Sequence, residues 1–171
     1  MNFYSLLIQL IGAIGFITLA LSYSKKSKKG ILWMQILSHV FLVLHYVLLK
    51  GESGAISNFI GLLAMMTIFY FDKHKFKNYV TIGFMISLLA VNIIFYQNIF
   101  SIFPMIASII ILISFLTPNE SIIRLTGAIA AGCWLVYAIS VKSYVAIFYE
   151  ALIIFNAIRT FVMNKKGKTV K

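Results

Sequence analysis

Seven runs of mostly apolar residues follow one another along the chain, at 3–23, 31–49, 55–71, 79–96, 100–116, 121–140 and 144–163, with short polar segments between them. A helix rises 1.5 Å per residue and a bilayer's hydrocarbon core is about 30 Å thick, so about 20 residues suffice to cross it. Each run is therefore read as a transmembrane helix. The predicted fold class is an all-α membrane protein of seven transmembrane helices with almost nothing outside the bilayer.

The spacing of the runs adds an internal order. Residues 50–54 join spans two and three, residues 141–143 join spans six and seven, and span four stands alone between the triplets. This predicts one integral membrane domain made of two parallel three-helix repeats: 1–72, a connector helix in 73–99, the second repeat in 100–164, and a basic tail at 165–171. An offset of 91 sets Leu44, Tyr46, Ala55 and Ile56 against Leu135, Tyr137, Ala146 and Ile147. One further residue in the second copy brings Asn58 opposite Glu150.

Composition sharpens this picture. With 61% hydrophobic and 11% charged residues, the chain has too little polar surface to cover a soluble core of its size. The lysines then orient it. Lys25, Lys26, Lys28 and Lys29 follow span one, Lys73, Lys75 and Lys77 follow span three, and Lys165, Lys166, Lys168 and Lys171 follow span seven. Only Lys50 and Lys142 fall on the opposite side. By the positive-inside rule the N-terminus lies outside and the C-terminus in the cytoplasm. A net charge of +11 spread over juxtamembrane segments fits anionic lipid headgroups, and no nucleic-acid partner is expected. No basic residue precedes span one and the basic run follows it, the reverse of a secretory signal, so that span is expected to stay. Cys133 is the single cysteine and lies mid-span, which leaves no intramolecular disulfide.

Candidate chemistry rests on the polar residues within the spans. An ionisable side chain at the bilayer centre costs on the order of 2.5–3.5 kcal/mol on insertion scales. Glu150 lies two turns into span seven with no basic residue at i±3 or i±4, so it must face the bundle interior, where it is protonated, paired across helices, or lining a wet cavity. His45 is at similar depth on span two and is the expected partner. His39 is nearer the midplane, and Gln35, Ser38, His39, Leu42, His45 and Tyr46 recur at helical spacing as a polar stripe. Arg124 and Arg159 lie near the cytoplasmic ends of spans six and seven and, with Asn156, are candidates for a cytoplasmic gate. Trp134 needs a partner for its indole N–H or serves as an aromatic wall for a ligand, and Tyr149 precedes Glu150. Pro104 is expected to kink span five. No metal site is expected, because His39 and His45 face different sides of their helix.

Several of these residues carry a family resemblance. Leu7-x-Gln9-x-x-Gly12, the basic run after span one, Gln35 through His45-Tyr46, Gly54-Ala55-Ile56-Ser57-Asn58, and Arg124, Trp134, Glu150 and Asn156-x-x-Arg159 resemble the YgjV-type bacterial inner-membrane proteins over nearly the whole chain. That resemblance implies a multi-pass protein of the bacterial inner (cytoplasmic) membrane. The three-plus-one-plus-three layout is similar to SWEET sugar transporters and PnuC vitamin transporters. In SWEET proteins asparagines on helices three and seven and tryptophans on helices two and six surround the substrate, and Asn58 and Trp134 match two of these placements. Glu150 stands where the second asparagine would be, span two has no comparable tryptophan, and no Pro-Gln dipeptide occurs.

A carboxylate in that place favours a small polar or cationic solute over a neutral sugar. The leading expectation is a small-solute transporter or facilitator with Asn58, Trp134, Glu150, His45 and Tyr149 binding substrate and Glu150, His45 and His39 as proton-coupling candidates. The competing expectation is a non-transporting membrane partner, regulatory or structural protein. No enzyme activity and no cofactor are expected, since one buried carboxylate supplies neither a nucleophile pair nor paired acids. The chain is expected as a monomer or homodimer.

Overall fold

The computed structural model describes residues 3–22, 24–25, 27–71, 76–116 and 120–168, without the side chains of residues 28, 77, 115, 120–124 and 159–168. Among the described residues it contains seven α-helices: α1 (Phe3–Ser22), α2 (Lys28–Leu48), α3 (Glu52–Phe71), α4 (Lys77–Ile94), α5 (Ile102–Leu116), α6 (Glu120–Ser140) and α7 (Tyr144–Lys168). No strand occurs among the described residues. The helices follow the apolar runs to within a few residues. By length and composition α1, Lys29–Leu48 of α2, and α3 are able to cross a membrane. The apolar stretches of the others are shorter, Asn78–Ile94, Ile99–Ser114, Leu125–Ser140 and Tyr144–Ile158; the last two are bounded by residues whose side chains are undescribed.

The distribution of side chains is that of a protein in lipid. Helix α3 buries Ser53, Gly54, Ser57, Asn58, Gly61 and Ala64 and turns Phe59, Leu63, Met66 and Tyr70 outward. Lipid tails solvate large apolar groups at no cost, whereas polar groups must find partners inside and small residues let backbones approach. The lysines at the start of α2 oppose the helix dipole, so helix stability does not account for them. Ser27 supplies the cap there, its Oγ accepting from the Gly30 N–H at 3.1 Å.

Both tight helix–helix turns are built alike. After α2 the Lys50 N–H donates to the Val47 carbonyl and the Gly51 N–H to Tyr46; after α6 the Lys142 N–H donates to Ile139 and the Ser143 N–H to Ala138. These are paired Schellman caps, each with a left-handed lysine, φ 58° at Lys50 and 56° at Lys142. Every matched atom is 92 residues apart, as are both ends of α2 and α6 and the starts of α3 and α7. Ser22 and Ser114, also 92 apart, each donate to the carbonyl three residues back at 2.6 Å. The structural spacing is thus 92 throughout, not the 91 of the apolar identities, which slide by one residue because apolar positions are interchangeable.

Helix α2 packs between α1 and α3, and α6 between α5 and α7; α3 meets α5 and α1 meets α7, closing a ring of six helices. Helix α4 lies outside, against α3 and α5. Pro104 does not kink α5. A 3-10 turn at Ile99–Ser101, capped by Asn98, precedes the helix, and Pro104 falls in its first turn, where a missing N–H costs little.

Candidate functional site

The ring encloses a cavity of about 60 Å³, lined by all six of its helices and by no residue of α4. Equivalent positions of the two triplets face it. Gln35 and His39 of α2 stand 92 residues before Gly127 and Ala131 of α6, Leu42 before Trp134, Asn58 of α3 before Glu150 of α7, and all eight line the space. The helix ends and caps recur at this spacing and the chemistry does not: the polar groups of α2 face a smooth glycine and alanine surface on α6.

Glu150 is 5% exposed and has no hydrogen-bonding partner among the described residues. Asn58 donates from Nδ2 to the Gly54 carbonyl at 2.8 Å, which fixes the amide and leaves Oδ1 as an acceptor. The His39 Nδ1 is 2.8 Å from the Gln35 carbonyl, and since a carbonyl only accepts, Nδ1 carries the proton. In the neutral ring Nε2 is then the acceptor. Among the described residues the Oε1 of buried Gln35 has no hydrogen-bonding partner, nor has the Tyr46 hydroxyl. Aromatic rings complete the wall: Tyr46 stacks on Trp134 with centroids 5.7 Å apart, and Phe16 lies 4.7 Å from Tyr149.

The polar stripe of α2 divides into two uses. Gln35, His39, Leu42 and Tyr46 face the cavity. Ser38 and His45 turn to α1, the Ser38 Oγ donating to the Gly15 carbonyl at 2.8 Å and the His45 Nδ1 to Ile8 at 2.9 Å. The His45 Nε2 then accepts from the Ser143 hydroxyl at 2.7 Å. With both nitrogens committed and no exposure, His45 does not line the cavity, and its partners are Ile8 and Ser143 rather than Glu150.

A reciprocal contact comes from α6. Tyr137, 92 residues after His45, accepts through its hydroxyl the Gly54 N–H at 3.0 Å, an orphan donor in the first turn of α3. The start of α7 is met in the same way by Gln9, whose Oε1 accepts from the Val145 N–H at 3.2 Å. Each central helix therefore reaches across to the turn of the other triplet, and glycines make the room. A Cβ on Gly12 would lie 2.6 Å from the His45 Nδ1, and one on Gly54 2.4 Å from the Tyr137 ring. Together with the Tyr46, Trp134 and Tyr137 rings, these contacts close the ring at its Lys50 and Lys142 end.

At the other end, the side chains of Arg124 and Arg159 lie outside the described residues, and Asn156 is exposed. The structure brings Asn58, Trp134, Tyr149, Glu150 and His39 to one cavity. Phe16, Ser108, Gly127 and Ala130 also line it. Sequence reasoning passed over them, because small and apolar residues in a span carry no signal until a neighbour's position is known.

No curated protein and no solved structure matches the chain. The family described as bacterial inner membrane protein, Imp-YgjV, matches residues 6–167, so apolar helices, inner-membrane description and nearly full-length match agree, and the chain belongs to that family.

Proposed function

We propose that the protein is a transporter or facilitator for a small polar or cationic solute, in which two parallel three-helix repeats rock about the central cavity by alternating access. Seven membrane spans, an outer N-terminus and a cytoplasmic C-terminus are part of this reading, supported by the lysine asymmetry. The plan is that of the SWEET and PnuC transporters, with α4 as the inverting connector. No catalytic group and no cofactor take part. The observation that carries it is Glu150, a buried carboxyl with no hydrogen-bonding partner among the described residues, in a cavity at the centre of the ring that its repeat counterpart Asn58 also lines. A buried ionisable group without a structural partner is retained for what it binds. The His45–Ser143 and Tyr137–Gly54 contacts are the closed outer gate, and Arg124, Asn156 and Arg159 the candidate inner one.

Cysteine accessibility tests the motion. In a Cys133→Ser background, a cysteine at Asn58 is exposed to an impermeant maleimide in intact cells and in inverted vesicles. Alternating access predicts labelling from both sides. Protection from both, in a folded protein, would instead support a partner or structural membrane protein. Glu150→Gln separates the two readings again: the carboxyl holds no protein group, so its loss leaves the unfolding midpoint unchanged or raised, whereas a structural carboxyl would cost about 1–3 kcal/mol.

A further inference from the structure

The cavity's wall specifies the chemistry of its occupant more closely than its depth does. Four of its polar atoms are placed to accept, beside the Tyr46 hydroxyl: the Glu150 carboxyl, the Asn58 Oδ1 and the His39 Nε2, the last two left as acceptors by hydrogen bonds made elsewhere, and the Gln35 Oε1, which has no partner among the described residues. The Trp134 and Tyr46 rings, stacked on each other, line the space beside them. A neutral sugar can donate from its hydroxyls but brings no charge to match the carboxyl. An anion would meet Glu150. A group with three N–H donors and a positive charge satisfies carboxyl, amide oxygen and imidazole nitrogen together, through charge-assisted bonds.

Size narrows the class. A water needs about 10–15 Å³ of such space, so the cavity's 60 Å³ holds about four to six heavy atoms. We propose that the central cavity is a site for a primary ammonium group on a small body, with the nitrogen on Glu150, Asn58 and His39 and the carbon against the smooth Gly127 and Ala131 face of α6. The inference deepens the transporter reading of this cavity, and binding alone decides it.

Methylammonium, with two heavy atoms, is the probe. The purified protein is titrated with methylammonium chloride while its melting midpoint is followed. Potassium chloride controls for ionic strength, methanol for size without charge, and tetramethylammonium chloride for charge without N–H donors. A saturable rise with methylammonium alone is expected, weakened about tenfold or more in Glu150→Gln as a charge-assisted contact is lost. Because the chain has two tryptophans, Trp33→Phe leaves Trp134 as the sole emitter, and its fluorescence reports occupancy at the wall even where a variant melts early. Equal responses to methylammonium and potassium overturn the assignment, as does no response in a folded protein.

Flux of labelled methylammonium into proteoliposomes then separates the two ideas. Binding without flux keeps the ammonium site and removes transport. A different solute class that binds and moves, while methylammonium does neither, removes the ammonium site and keeps transport.

Discussion

The two triplets share the spacing of their helix ends and caps and differ in the side chains they bring to the cavity. Helices α1–α3 bring to the cavity Gln35, His39 and Asn58, all polar, whereas α5–α7 bring Gly127, Ala131 and Glu150 at the same positions. Conserved between the halves are the devices that shape the chain: the left-handed lysine caps, the buried Ser22 and Ser114, and the small residues at crossings. Helix ends are fixed by local hydrogen bonds, which tolerate no change in spacing, while a cavity wall tolerates any side chain that fits. The same contrast governs the cross-contacts: His45 and Tyr137 are different residues at one position, each reaching the other triplet's turn.

Breaking one arm of that reciprocal pair is the strongest test. His45→Ala removes a fully buried side chain and two hydrogen bonds, leaves the Ser143 hydroxyl unpaired and opens a void, so unfolding in mixed micelles should ease by about 3 kcal/mol. A loss below about 1 kcal/mol would mean the contact does not hold the triplets together. Gly54→Ala comes next. Its Cβ would drive into the Tyr137 ring, which is flanked by Tyr46 and Trp134, and overpacking of this kind costs about 1–3 kcal/mol. Gly12→Ala should cost a similar amount, since His45 is held at both nitrogens; a much smaller loss there would show that the two arms are unequal. Tyr137→Phe keeps the ring and deletes only the bond to the Gly54 N–H, so a loss near 1 kcal/mol is expected in the same titration.

Much of this was legible in the sequence and some was not, for physical reasons. Helix existence followed from the apolar runs, and helix ends from them only to within a few residues. Glu150, Asn58, Trp134 and Tyr149 stood out because a polar or aromatic group in a span needs a partner. Offset 91 misled because Tyr46 and Tyr137 match in identity, while the true register is set by backbone caps that leave few identities. The partners of His45 were illegible, since Ile8 and Ser143 are chosen by helix crossings that residue spacing on α2 does not encode. Pro104 looked like a kink only because the helix start at Ile102 was not foreseen.

The lysine caps give the finest test of how alike the halves are. Left-handed backbone costs a residue with a Cβ about 1–2 kcal/mol, and glycine avoids that cost but gives up about 0.5–1 kcal/mol of unfolded-chain entropy. A lysine at a helix C-terminus also gains a few tenths of a kcal/mol from the dipole. The balance favours glycine slightly, so Lys50→Gly and Lys142→Gly should each raise the unfolding free energy by about 0.5 kcal/mol. Because the two turns have the same hydrogen bonds and the same φ, the two shifts should agree and should add in the double variant. Unequal shifts would mean that one lysine is held by something beyond the cap, in which case the sequence keeps a lysine at that turn for its charge at the membrane surface rather than for the fold.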